Sequence, residues 1–199
     1  MNYLAHAYLS FDHPEILVGN MISDYVKGKK KFDYPESIQA GILLHREIDR
    51  FTDEHSATRK IKEIFRPAYR LYCGAIIDVL FDHFLANDEN EFTEKKLDDF
   101  TSHTYHILSH HTDMFPEKFR NLFPYMKNQN WLYNYRYRRG IEKSLGGLVR
   151  RSMYMKDSET AYRLFIEHYL LIETAYRDFF PAVKNLSVNF INSWNEAHH

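Results

Sequence analysis

Apolar residues recur along this chain at three- and four-residue intervals, the spacing that lays them on one face of a 3.6-residue helix. The pattern predicts helices near residues 14–26, 36–54, 57–66, 68–87, 93–111, 116–127, 140–155 and 158–180, with a last one near 182–195. The one clear polar–apolar alternation, Tyr133 to Arg138, predicts a short extended piece or a loop. Start signals agree with several of these elements. Pro35 and Glu36 open the second helix, with an acid where the helix dipole favours one. Ser56 and Thr93 can cap the third and the fifth. Lys27, Lys29, Lys30 and Lys31 around Gly28 read as an exposed loop, and the acidic run Asp88 to Asp99 as solvated surface.

Composition sharpens this to an all-α fold, one compact multi-helix domain over residues 1–199. A chain of 199 residues that is 44% hydrophobic can close one sizeable core. A net charge of -1 weighs against a general nucleic-acid binder, which would be distinctly basic. Cys73 is the single cysteine, so no internal disulfide forms, and with no apolar leader the reading is a reducing, cytoplasmic setting. The apolar runs are far too short to span a membrane. The closing pair His198 and His199 is set aside as a tag remnant.

The chemistry lies in acids and histidines embedded in apolar helices. Asn20 and Asp24 share one helical face. His45, Asp49 and Asp53 follow at successive four-residue steps. Asp78 and Asp82 share a face of a third helix, with His83 about 100° further round. Taken singly, each pair reads as a solvated face and each histidine as a satisfied core residue. Taken together, unpaired carboxylates among Ile, Leu, Val and Phe are costly to bury, and a shared cation relieves that cost. The donor set suits manganese, iron, zinc or magnesium, and the carboxylate excess favours the harder ions. Asn20, Asp49 and Asp53 fit the role of orienting the ligands, amides being weak ligands beside carboxylates. Arg46 divides evenly between clamping a phosphoryl group and pairing with Asp49 or another nearby acid.

These segments resemble the acyl carrier protein phosphodiesterase family. The likeness rests on Asn2-Tyr3-Leu4-Ala5-His6, Gly19-Asn20 with Asp24-Tyr25-Val26-Lys27-Gly28, Gly41-Ile42 with His45-Arg46 and Ile48-Asp49, Thr52-Asp53, and Asp78 with Asp82-His83-Phe84-Leu85. Fainter echoes follow in Asn130-Trp131-Leu132, Tyr135-Arg136 and Arg150-Arg151. The resemblance implies a helical fold distantly akin to HD-domain phosphohydrolases, although Asp82-His83 reverses the usual His-Asp doublet. It implies a divalent metal, commonly manganese, with magnesium or iron as alternatives. The implied reaction is hydrolysis of the phosphodiester joining 4'-phosphopantetheine to a serine of holo-acyl carrier protein. By matching position His6, Asp24, His45, Asp78, Asp82 and His83 fall at the centre.

On that basis Asp24, His45, Asp78 and Asp82 hold the cation, with His83 or His6 completing its shell or moving protons, and Arg46 gripping phosphoryl oxygens. Arg136, Arg138, Arg139, Lys143, Arg150 and Arg151 form a basic segment suited to an acidic carrier protein. A solvated charged face explains the same residues about as well, and interleaved tyrosines admit single-stranded nucleic acid as a weaker third reading. A nucleotide-hydrolysing HD-like enzyme, or a non-enzymatic binding module, are the rival functions. The pattern is silent on oligomeric state.

Overall fold

The structure, a computed structural model, describes residues 1–198. His199, set aside above, lies outside them. The described residues form α-helices joined by short turns and 3₁₀ segments, with no strand among them. In chain order the helices are α1 (Tyr3–Tyr8), α2 (Pro14–Ile22), α3 (Glu36–Glu54), α4 (Ser56–Tyr69), α5 (Cys73–Ala86), α6 (Glu94–Ser109), α7 (Glu117–Asn128), α8 (Trp131–Asn134), α9 (Arg138–Arg151), α10 (Glu159–Glu167) and α11 (Tyr169–His198). No helix is long and apolar enough to cross a membrane.

The helices share one hydrophobic core. α5 runs through its middle, with Ile76, Ile77, Val79, Leu80, Phe81 and Leu85 fully covered. α11 lies along α3, α4 and α5. Its Phe179 stacks on Phe81 with ring centroids 5.1 Å apart, and each such aromatic pair adds about 1 kcal/mol beyond its buried area.

α2 and α3 meet without side chains between them. A Cβ on Gly19 would lie 2.0 Å from the carbonyl oxygen of Ile38, and one on Gly41 would lie 2.1 Å from that of Ile16. Only glycine allows this approach, and it brings Asn20 on α2 against His45, one turn beyond Gly41 on α3.

Several boundaries differ from the sequence reading. The two C-terminal helices are divided at His168, because α11 runs unbroken through Pro181. A proline costs one backbone hydrogen bond, and in a helix anchored by Phe179, Phe180 and Val183 that loss is carried by packing. Pro67 likewise lies inside α4, and the chain turns later, at Arg70, whose φ is +47°. The stretch 133–138 is neither strand nor open loop, since α8 and a tight turn occupy most of it. Short pieces escaped the pattern, among them α1, too brief for a periodicity, α8, and the 3₁₀ segments Gly28–Asp33 within the lysine-rich loop and Thr112–Met114.

Candidate metal centre

The helix register sends His6 from α1 and His45 from α3 to the same point. Their rings stack with centroids 3.9 Å apart, and both are almost wholly buried. Asn20 holds them from behind. His6 Nδ1 donates to Asn20 Oδ1 at 2.7 Å, and His45 Nδ1 donates to the Asn20 carbonyl oxygen at 2.8 Å. The Asn20 amide nitrogen in turn donates to His6 O at 2.8 Å and Ser10 Oγ at 3.1 Å, which fixes the orientation of the amide. With each Nδ1 serving as donor, both Nε2 atoms point forward.

What they face is oxygen. His6 Nε2 lies 3.2 Å from Asp49 Oδ1 and 3.1 Å from Met1 O. His45 Nε2 lies 3.1 Å from Asp49 Oδ2 and 3.3 Å from Asp24 Oδ1, yet makes no hydrogen bond of acceptable geometry. One ligand atom from each of His6, His45 and Asp49 falls within 4.8 Å of the others. Two imidazole lone pairs aimed at carboxylates need an electropositive occupant between them. A proton on each ring serves poorly, since two imidazolium rings cannot stack at van der Waals distance without strong repulsion, and a single proton on His45 leaves the His6 lone pair facing Asp49 Oδ1 and Met1 O. Burial and then the charge of His45 push His6 down to about 4. Burial also opposes charge on His45, but Asp24 and Asp49 overcome it and raise that group to about 9. Burial works against ionised Asp49 too, but the two histidines hold its carboxyl far below the usual range. The buried Nε2 of His45 without a hydrogen bond, and a donor set of two imidazoles and several carboxylates, fit a metal ion.

The remaining sequence-predicted residues divide between this centre and other tasks. Asp24 belongs beside it, on a 3₁₀ turn after α2. Asp49, expected only to orient ligands, lies at the middle of the cluster. Asp78 is linked to it through the Met1 α-amino group, 2.8 Å from Asp78 Oδ1 and 3.7 Å from Asp49 Oδ1. Burial raises Asp78 to about 6 against the pull of that amino group. Asp53 is turned aside to Lys62, at 2.6 Å.

Asp82, expected as a ligand, caps α1 instead. Its carboxylate accepts from the backbone nitrogens of Asn2 at 3.1 Å, Leu4 at 2.7 Å and Ala5 at 3.3 Å. These amides have no partner within the helix, which is why a fully buried acid is tolerated there. Burial still lifts it to about 7. His83, expected as ligand or proton donor, is not brought to the centre. Its ring bonds the Tyr135 carbonyl oxygen at 2.8 Å and the Tyr169 hydroxyl at 3.0 Å, so both nitrogens are taken. The guanidinium of Arg46 donates to Val26 O at 3.0 Å and makes no ion pair with Asp49.

A cavity of about 380 Å³ opens on the Asp49 and Asp78 side. Lys62, Arg66 and Arg70 line it, and the sequence reading missed all three. Their four-residue spacing, a basic stripe about 100° round from the apolar face of α4 and continued by Arg70 just past its end, was the available signal. In the basic segment, Arg136 pairs with Glu94 at 3.4 Å and Arg138 covers the Tyr169 ring at 5.2 Å. Arg139, Lys143, Arg150 and Arg151 make no ion pair among the described residues.

Residues 1–183 match the family described as acyl carrier protein phosphodiesterase. An acyl carrier protein phosphodiesterase of Klebsiella pneumoniae subsp. pneumoniae is 31% identical over 95% of this chain and 98% of its own. Proteins of the same description are 30% identical in Yersinia pestis, over 92% of this chain and 95% of theirs, and in Escherichia coli O6:H1, over 91% and 94%. No solved structure matches.

Proposed function

Because the chain belongs to the acyl carrier protein phosphodiesterase family, we propose that it removes the prosthetic arm of holo-acyl carrier protein by hydrolysing the 4'-phosphopantetheine–serine phosphodiester. The supporting observation is the convergence of His6 and His45 Nε2 on Asp49, with Asp24 alongside. These four residues, with Asp78 close by, would hold a divalent cation, and the mixed N/O donor set suits manganese, with magnesium or iron as alternatives. When bound, such an ion makes water nucleophilic near neutral pH and polarises a phosphoryl oxygen.

The chain's own residues supply position. Asn20 fixes both imidazoles in the tautomer that leaves Nε2 free, a task comparable to that of the carboxylates and carbonyls behind other metal-binding histidines. Lys62 and Arg70, beside Asp49 and Asp78, are placed to bind non-bridging oxygens, the role the sequence suggested for Arg46. In the reaction a water oxygen bonds to phosphorus and the phosphorus–oxygen bond to serine breaks. The serine oxygen recovers a proton, and the phosphopantetheine leaves as a monoester. The unpaired cations of α9 and Arg70 give an acidic carrier protein a favourable approach.

Incubation with holo-carrier protein and Mn²⁺, followed by intact mass, tests the reading. Loss of the mass of the arm supports it, provided that chelation abolishes the loss. An intact holo protein alongside hydrolysis of a nucleotide would replace it with the nucleotide reading.

A further inference from the structure

A second groove, of about 560 Å³, lies between the start of α1, α8 and α9. Its volume is that of a small-molecule site, within the range of about 300–1,000 Å³. One of its walls is continuous with an element of the metal centre. Asn2 and Tyr3 form one wall, and they begin the helix that carries His6. The Tyr3 hydroxyl shares a hydrogen bond of 2.9 Å with that of Tyr25, the residue after Asp24. Trp131 stands on another side.

The groove is lined by Arg150 and Arg151, neither of which makes an ion pair among the described residues. Both guanidinium groups fold back over their own helix at Gly146 and Gly147. A Cβ on Gly147 would meet Arg151 Nη1 at 3.2 Å and Arg150 Nη2 at 3.7 Å. Two glycines inside a helix cost about 1 kcal/mol each. Here their bare backbone is what seats the two forks. Arg151 lies near enough to the Tyr3 and Tyr25 hydroxyls for its charge to be felt at both, as does Asp24 of the metal centre.

We propose that this groove is the subsite for the prosthetic arm: Arg151 and Arg150 take its phosphate end beside the metal centre, and the arm lies along Trp131 and Asn134. The proposal rests on the hydrolysis reading above and adds which side of the centre each half of the diester occupies. The chemistry of the arm matches that of the walls. A phosphate suits paired guanidinium forks. The gem-dimethyl carbon chain suits the aromatic faces. The two amides of the arm need polar partners, and Asn134 donates to Gln129 O while keeping its side-chain oxygen free for an N–H. The serine half of the diester then faces the cavity lined by Asp49, Asp78 and Arg70.

Titration of the Mn²⁺-loaded protein with free 4'-phosphopantetheine, read by calorimetry and by Trp131 fluorescence, tests this directly and requires no turnover. The expected result is saturable binding with a change in emission that Trp131→Phe abolishes. Phosphopantetheine should bind more tightly than either inorganic phosphate or pantetheine. Arg150→Ala with Arg151→Ala should weaken binding about tenfold or more, the loss of a bidentate charged contact. Gly147→Ala, which displaces a guanidinium without removing a charge, should weaken it in the same direction, and Arg163→Ala on α10, outside the groove, should leave it unchanged. Circular dichroism of each variant separates lost binding from lost fold. No binding by the native protein, or undiminished binding in both the double variant and Gly147→Ala, overturns the proposal. These outcomes are independent of whether holo-carrier protein is cleaved, so a protein that binds the arm yet fails to hydrolyse it would sink the reaction and keep the groove.

Discussion

Asn20 does more than any other single residue to shape the centre, and it does so with two different atoms. Its side-chain oxygen holds His6 and its backbone oxygen holds His45. Asn20→Ala therefore frees one ring and leaves the other fixed. Mn²⁺ affinity, measured by calorimetry, should fall about 10- to 100-fold, the usual effect of losing a partner behind a ligand. The same change leaves the buried His6 Nδ1 without its acceptor and removes the Asn20 bonds to His6 O and Ser10 Oγ, which keep only the bond between themselves, and should lower stability by about 1–3 kcal/mol in denaturant unfolding. His83 offers a contrasting case. Burial lowers its pKa from the ordinary 6.5, so the folded state prefers the neutral ring. The unfolded chain then binds the proton more readily, and stability is present above pH 6.5 and lost as pH falls toward the folded value. His83→Gln, which keeps a hydrogen-bonding side chain that does not titrate, should flatten that part of the stability–pH curve, while Mn²⁺ binding stays unchanged. A loss of Mn²⁺ affinity in this variant would return His83 to the metal centre.

At the scale of elements, the contact between α2 and α3 decides whether the centre can assemble. Gly41→Ala puts a methyl group 2.1 Å from a backbone oxygen that cannot move without shifting a helix. The expected cost is about 3 kcal/mol or failure to fold, the upper end of overpacking effects. Gly74→Ala in α5 is the matched control, since its Cβ finds nothing nearer than Asp53 Oδ1 at 3.6 Å. Thermal unfolding should leave that variant within about 1 kcal/mol of the native protein. The helices themselves were readable because each buries an apolar stripe. α1 was not, since six residues are too few to show a period and its start is completed by Asp82, which is distant in sequence. The prolines misled for a related reason: packing along α4 and α11 outweighs one lost hydrogen bond, which local sequence cannot report.

Across the whole molecule, a chain of nearly zero net charge separates its charges, with acids at the metal centre and unpaired cations on α9 and around Arg70. Surface attraction of this kind is screened over about 8 Å at physiological salt. Raising NaCl should therefore depress kcat/KM for holo-carrier protein much more than for a small neutral-armed phosphodiester, and equal depression of both would remove the carrier from the role of these cations. Bound metal should also raise the unfolding temperature of the native protein, and His6→Ala should lose that increment. Helicity, and the presence of acids and histidines on apolar faces, follow from the sequence alone, because the 3.6-residue period fixes how side chains are arranged within one helix. The family, too, was legible in blocks such as His45-Arg46 with Ile48-Asp49. Which of those residues meet was decided only by tertiary structure. Asp49 lies at the centre, Asp82 caps α1, His83 joins Tyr135 and Tyr169, and Arg46 turns to Val26. The period sets a direction within a helix, whereas the angle and depth at which helices cross come from contacts distant in sequence, such as that between Gly19 and Gly41.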